Sequence, residues 1–312
     1  MVGLEWRLTM KHLLSVEDIP QDSFMALFAK AAELKANRRK PGGKRPLEGK
    51  TIAMIFAKSS TRTRVSFEVG IYELGGHPMY MNENQMQAGR GETPADTAKV
   101  LSRYVDGIVI RTFEHSIVEE LARNSSVPVI NALTNEYHPC QALTDIFTVL
   151  EYSGKLEGVK IVFLGDGCSN MANSLMLAGK LCGLDVIISS PKGFEPDAEI
   201  MARAKGNGQV NWEPDPIKAV KDADYIYTDV WVSMGFEDEA TERLKIFTPY
   251  QVNAALMKAA KPNAKVLHCL PAHRGEEITD EVMDSPASIV FDQAENRLHV
   301  QKAIMTYLFE GL

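Results

Sequence analysis

Along 312 residues, short β-branched apolar runs alternate with helical stretches, and this pattern constrains the fold more than any other feature. The first half carries runs at 51–56 (TIAMIF), 77–82 (HPMYMN), 107–112 (GIVIRT) and 127–132 (VPVINA). The second half carries 159–164 (VKIVFL), 184–190 (LDVIISS), 223–230 (ADYIYTDV), 265–270 (KVLHCL) and 287–292 (ASIVFD). Most are continuous rather than alternating, which suits strands covered on both faces, as in parallel sheets flanked by helices. Stretches such as 94–104, 170–182 and 295–309 supply the crossovers. The expected fold is therefore α/β, with two doubly wound domains. The amphipathic stretch 138–152, closed by Ser153-Gly154, marks the divide. That places one domain over 1–152, a second over 153–294, and a terminal helix over 295–312 that either half could accommodate.

Composition narrows the function classes. Hydrophobic residues at 45% and charged residues at 24% supply a sizeable core and exclude disorder of the whole chain. With 34 basic and 41 acidic residues the net charge is -7, against nucleic-acid binding, which favours a basic excess. No apolar run approaches the ~18 residues of a membrane span. The first twenty residues carry charges throughout, so a secretory signal is not expected and a soluble, cytoplasmic protein is. Cys140, Cys168, Cys182 and Cys269 lie far apart with no C-x-x-C pair, against a disulfide scaffold or a zinc ribbon.

The richest stretch for chemistry is Lys58-Ser59-Ser60-Thr61-Arg62-Thr63-Arg64, after the 51–56 run and opening a helix. Unpaired amides and the positive end of the helix dipole make such a turn an anion site, and guanidinium groups can clamp phosphate or carboxylate oxygens. The alternative is an ordinary Ser/Thr N-cap with solvated arginines. A Walker pattern is absent. His138-Pro139-Cys140-Gln141 opens another helix with Pro at its first position, and Arg111 ends the 107–112 run. Ligands in open parallel sheets bind beyond the carboxyl ends of the strands, which groups these residues with the 60–64 turn. His138 taken singly is equally a structural histidine.

Gly165-Asp166-Gly167-Cys168-Ser169-Asn170 approaches the dinucleotide fingerprint, but Asn170 replaces the third glycine and no acid ends the next run. A tight turn presenting Asn170 to a small ligand fits better than a nicotinamide site. Between Tyr225 and Ala240 lie several acidic residues and no Lys or Arg, favouring a partner with an amine over one with two carboxylates. His268 and His273 lack the spacing and third ligand of a helical zinc site, so no metal or cofactor is expected.

Ser-Thr-Arg-Thr-Arg at 60–64, His-Pro-x-Gln at 138–141, Asp-x-x-x-Ser-Met-Gly at 229–235 and His-Cys-Leu-Pro at 268–271, in this order, resemble the ornithine carbamoyltransferase family over essentially the whole chain. The first two motifs mark carbamoyltransferases generally; the last two separate the ornithine branch. The resemblance implies transfer of the carbamoyl group of carbamoyl phosphate to L-ornithine, giving L-citrulline and phosphate, in arginine biosynthesis or the reverse catabolic route. It implies a homotrimer with active sites at subunit interfaces, and a terminal helix packing back on the first domain. By similarity, Ser60, Thr61, Arg62 and Thr63 hold the phosphate. Arg111, His138 and Gln141 surround the carbamoyl group beside Pro139 and Cys140. Gln87, from the 81–93 loop, reaches a neighbouring subunit's site. Cys269 and Leu270 line the site, and Arg297 returns to the phosphate. Asn170, Asp229, Ser233 and Met234 match ornithine-binding positions. Arg111, His138, Asp229 and Cys269 are the catalytic candidates. Aspartate or putrescine as acceptor, and a non-catalytic binding protein of the same fold, are the competing readings.

Overall fold

A computed structural model describes residues 10–40, 42–57, 60–82, 91–206, 208–232 and 240–311. Two compact units emerge, one of Met1–Cys140 with Asn296–Leu312 and one of Gln141–Glu295.

In the first unit, β1 (Thr51–Phe56), β2 (His77–Asn82), β3 (Gly107–Arg111) and β4 (Val129–Leu133) form a parallel sheet in the order β2-β1-β3-β4. Helices α1 (Gln21–Ala36), α2 (Thr61–Glu73), α3 (Pro94–Leu101) and α4 (His115–Asn124) belong with it. Ala53, Ile55, Ile108, Ile110 and Val129 pack with Ala98, Val118 and Leu121 in one apolar cluster. Ile52, Met54 and Val109, which alternate to the opposite face, are buried too, giving the double burial that continuous apolar runs encode. Leu13 docks beside β4 through an isolated parallel bridge to Ile130, and nearby the Val129 N–H donates to His12 Nδ1 at 3.1 Å. Burial, with the Lys11 charge, pushes the His12 pKa down to about 4. The unfolded chain thus binds more protons than the folded one between about pH 6.5 and 4, so stability falls as the pH drops through that window. His12 is only partly buried, and after allowance for solvent screening the loss is on the order of 1 kcal/mol. Melting curves between pH 7 and 4 should show this decline shrinking in His12→Asn.

α5 (Pro139–Ser153) begins in the first unit and continues through the second. The sequence predicts an amphipathic helix here, but residues 139–149 are buried without interruption, Gln141, Thr144, Asp145 and Thr148 among them. The second sheet, also parallel, runs β7-β6-β5-β8-β9. Its strands are β5 (Lys160–Leu164), β6 (Asp185–Ser189), β7 (Val210–Trp212), β8 (Tyr225–Thr228) and β9 (Lys265–His268). Helices α6 (Asn170–Cys182), α7 (Ala198–Arg203), α8 (Pro216–Val220), α9 (Ala240–Phe247), α10 (Ala254–Ala259) and α11 (Asp280–Met283) accompany it. α12 (Val290–Glu310) starts in this unit and ends in the first. There Asn296 Oδ1 accepts from Lys35 Nζ at 2.8 Å, and the Tyr307 hydroxyl donates to Ser23 Oγ at 3.0 Å, tying its later turns to α1.

One expected strand is corrected. Over 287–292 only Ser288 bridges, to Val266, and α12 begins at Val290, five residues before the expected helix. Ile289 and Val290 are buried, and a short apolar run does not itself distinguish a strand from the buried start of a helix. β7 was not foreseen, because Val210-Asn211-Trp212 is a short edge strand without an apolar run. Among the described residues, no helix is long and apolar enough to cross a membrane.

Candidate active site

Strand order dictates where each unit's chemistry gathers. In the first sheet the order reverses between β1 and β3, whose last residues, Phe56 and Arg111, are register partners. That reversal is the switch point at which open α/β sheets bind ligands. α2 starts just beyond it. Its N-cap Ser60 makes no side-chain capping bond, and its first turn carries no acidic residue, leaving the amide end and positive dipole for an anion. Arg111 Nη1 donates to Ser60 Oγ at 3.0 Å and to Thr63 Oγ1 at 3.2 Å. Arg297 Nη2, from α12, donates to the same Thr63 oxygen at 2.8 Å. Thr63, Arg111 and Arg297 are 1%, 7% and 4% exposed, so two guanidinium groups converge on one hydroxyl with little solvent. Thr61 is exposed and Arg62 partly buried on the same turn.

His138 is buried beside this cluster, and burial, then the charges of Arg297 and Arg111, hold its pKa well below the usual value. Its imidazole is therefore neutral at pH 7. Pro139 opens α5, and Cys140 Sγ donates to the Asn131 carbonyl at 3.5 Å. Burial pushes the Cys140 thiol up to about 12, which removes it as a nucleophile. Gln141 Nε2 donates to Asp145 Oδ1 at 2.8 Å, while its buried Oε1 meets no hydrogen-bond donor among the described residues. A buried carbonyl left that way costs about 1–3 kcal/mol, which a ligand donor would recover. Arg64, although part of the motif, is engaged elsewhere. Its guanidinium stacks 3.8 Å over Tyr80 and pairs with Glu68 at 3.0 Å.

In the second sheet the order reverses between β5 and β8. After β5, Gly167 lies where a Cβ would sit 2.5 Å from the Phe194 carbonyl, so the turn admits only glycine there. Asp166 pairs with Arg243, and Ser169 caps α6 by accepting from Ala172 N at 3.2 Å, which sets Asn170 as the first helical residue. The close helix–strand approach given by a third glycine in dinucleotide folds falls later, at Gly179, where a Cβ would lie 2.6 Å from Val186.

After β8, Asp229 Oδ1 accepts from Val230 N at 2.8 Å and from Cys269 Sγ at 2.9 Å. Burial raises the Asp229 pKa, opposed by the hydrogen bonds from Cys269 and the Val230 N–H. Leu270 holds a left-handed φ of 58°, a conformation that costs a leucine about 1–2 kcal/mol. Its N–H donates to His268 Nδ1 at 2.8 Å, and His268 Nε2 meets Glu277 Oε1 at 2.9 Å. Nδ1 is thus the acceptor and Nε2 carries the proton. The donor atoms of Asp229, His268 and Cys269 lie within 4.8 Å of one another, yet both nitrogens of His268 are already committed. A metal there would have to break the bonds that shape this loop.

Gln87, Ser233 and Met234 lie outside the described residues. Sequence reasoning missed Asp145, Glu277 and Gln293, all fully buried. The one available signal was Asp145, the single charged residue in the first twelve positions of α5.

Two parallel sheets, each with polar side chains beside its switch point, place the chain among two-domain α/β proteins of the kind that bind small ligands beyond the carboxyl ends of their strands. Family models agree: the carbamoyl-P binding domain of aspartate/ornithine carbamoyltransferase matches residues 11–151, and the Asp/Orn binding domain matches 157–308. The chain belongs to the aspartate/ornithine carbamoyltransferase family. It is 54% identical over 307 residues to the ornithine carbamoyltransferase of Thermococcus kodakarensis, covering 97% of each chain. To that of Bacillus subtilis it is 55% identical, covering 96% of this chain and 95% of the other. The solved ornithine carbamoyltransferase of Pyrococcus furiosus superposes with a TM-score of 0.93 at 52% identity, over 98% of this chain and 99% of that one.

Proposed function

We infer that this chain is a carbamoyltransferase that moves the carbamoyl group of carbamoyl phosphate to the side-chain amine of L-ornithine, releasing L-citrulline and phosphate. The observation that carries this reading is the convergence of Arg111 and Arg297 on Thr63 beside a neutral His138. Such a cradle suits a dianionic acyl phosphate whose carbonyl develops negative charge.

The amine nitrogen attacks the carbonyl carbon, a tetrahedral intermediate forms, and its bond to the phosphate oxygen breaks. Charge grows first on the carbonyl oxygen, so donors already aimed at it lower the barrier most. Arg111, His138 and Thr63 serve there; His138 donates as a neutral imidazole. Arg62, Arg297 and the amides of residues 60–63 take the leaving phosphate, and Gln141 Oε1 accepts from the carbamoyl N–H. A free alkyl amine with a pKa near ~10.4 is neutral in only about one molecule in 10³–10⁴ at pH 7, at a cost of roughly 4–5 kcal/mol. Asp229 and Cys269 orient the ammonium group; the Asp229 carboxylate takes its proton, and the second proton, shed by the nitrogen once it has bonded to carbon, leaves with phosphate. Asn170, Ser233 and Met234 hold the amino-acid end of ornithine. Carbamoyl phosphate is already activated, so no covalent Cys269 intermediate is needed.

A homotrimer, with Gln87 of one copy completing a neighbour's site, belongs to the same reading. The exposed Val65 and Tyr72 on α2 and Met79 on edge strand β2 are apolar surface consistent with a contact between copies. So does a cytoplasmic role in arginine biosynthesis; a Pyrococcus furiosus relative 52% identical to this chain is named anabolic. A colorimetric citrulline assay with ornithine, putrescine and aspartate offered side by side tests the reaction, with solution mass measured in parallel. Turnover confined to ornithine supports the reading; preference for putrescine or aspartate, or no turnover with any of them, defeats it.

A further inference from the structure

Gln141 bears on the reaction only if its amide points the right way round, since turning a glutamine amide end for end exchanges donor for acceptor at no steric cost. What fixes that direction lies in a buried chain of hydrogen bonds within the second unit. It begins at the backbone N–H of His268, which cannot turn and which donates to Gln293 Oε1 at 2.9 Å. Gln293 must therefore present its NH2 group on the other side, where Nε2 donates to Asp145 Oδ1 at 2.6 Å. The same oxygen accepts from Gln141 Nε2 at 2.8 Å. Each step dictates the next, and the chain ends with Gln141 Oε1 as the outward acceptor. Asp145, Gln141 and Gln293 are 0%, 1% and 0% exposed, so water does not compete for these bonds. The Tyr227 hydroxyl also hydrogen-bonds to Asp145, and Gln293 Nε2 lies 3.4 Å from it.

We propose that Asp145 is a positioning residue for carbamoyl transfer, locking Gln141 so that the pair selects an N–H-bearing acyl phosphate. The inference rests on the function given above. A carbamoyl group offers an oxygen acceptor at one end and an NH2 donor at the other, two ends of nearly the same size. An outward Gln141 carbonyl accepts the NH2 end and repels the oxygen end, so the group is held one way round. It also discriminates against acetyl phosphate, which carries a methyl group where carbamoyl phosphate carries NH2. Sites built to hydrogen-bond a substrate N–H reject analogues that lack it far more strongly than apolar pockets reject a missing methylene.

The test uses the full chain and four variants: Asp145→Leu, Asp145→Asn, Gln141→Ala and the Gln141→Ala/Asp145→Leu double. Leucine keeps the volume without an acceptor, whereas asparagine can keep an oxygen facing both glutamines. We expect Asp145→Leu to lower kcat/KM for carbamoyl phosphate about 10-fold. The ratio of the acetyl phosphate inhibition constant to the carbamoyl phosphate KM should fall with it. Calorimetric affinity for inorganic phosphate should stay within about twofold, because the phosphate cradle is built from other residues. Asp145→Asn should restore most of the rate and the selectivity, and Asp145→Leu should cost nothing further on the Gln141→Ala background. Additive losses in the double variant, an unchanged selectivity ratio, or phosphate affinity falling in step with the rate would each overturn the proposal. Should Asp145→Leu fail to fold, Gln293→Leu removes the partner that orients Asp145, and the same fall in selectivity is required of it. A wild-type chain that makes no citrulline removes the function and this inference together; an active wild type with an additive cycle removes the inference alone.

Discussion

Replacing Arg111 with methionine should lower the rate of citrulline formation about 10²–10³-fold, the cost of removing one preorganised donor from a developing oxyanion. Arg111 occupies the last residue of β3, with Nη1 held by Ser60 and Thr63, so its geometry is set before substrate arrives. Methionine fills similar space but offers no donor, and neither backbone nor solvent can restore one at a site this buried. Two further readings separate loss of chemistry from loss of fold. Saturating phosphate should raise the wild-type melting temperature, since a ligand at 100 times its Kd adds about 2.7 kcal/mol, and that rise should shrink in the variant. The His138 pKa should move up, because Arg111 is one of the charges that hold it down, yet remain below the ordinary value, because burial and Arg297 persist. Unchanged turnover in Arg111→Met would remove this residue from the oxyanion cradle.

The sequence made the sheets legible because parallel strands buried on both faces must be apolar without interruption, and the runs ending at Phe56, Arg111, Leu164 and His268 are. It made the site legible to the extent that chemistry sits at strand ends. Arg111, Asp229 and Cys269 each fall at or just beyond a strand's carboxyl end, the first two beside a switch point and Cys269 on the strand next to β8. Other features depend on three-dimensional neighbours that local patterns do not encode. Arg62 and Arg64 look equivalent in Thr-Arg-Thr-Arg, but only the fold brings Tyr80 and Glu68 to Arg64 and takes it out of the anion cradle. The apolar run at Ile289-Val290 reads the same whether it pairs as a strand or opens a helix, and here it opens α12. Asp145 and Gln293 are 148 positions apart in sequence, so no spacing rule would have joined them.

Asp229→Asn should reduce turnover at pH 7 by about 10²–10⁴-fold, the usual contribution of a positioned base. The carboxylate is the acceptor towards which Cys269 Sγ and Val230 N already point, and burial raises its pKa, making it a better proton acceptor than an exposed aspartate. Asparagine keeps the shape and can keep one acceptor oxygen, but it neither attracts an ammonium ion nor takes its proton. The variant must then rely on amine already neutral in solution, a fraction that grows about tenfold per pH unit below the amine pKa. Its rate should therefore climb with pH more steeply than that of the wild type, and the gap between them should narrow towards pH 10. Cys269→Ser should act on the same side of the reaction, weakening ornithine use while leaving carbamoyl phosphate binding in place; equal loss of both would exclude it from handling the amine. A wild-type to Asp229→Asn ratio that stays constant from pH 7 to pH 10 would mean that Asp229 binds ornithine without managing its proton, and the task of neutralising the nucleophile would pass to another group.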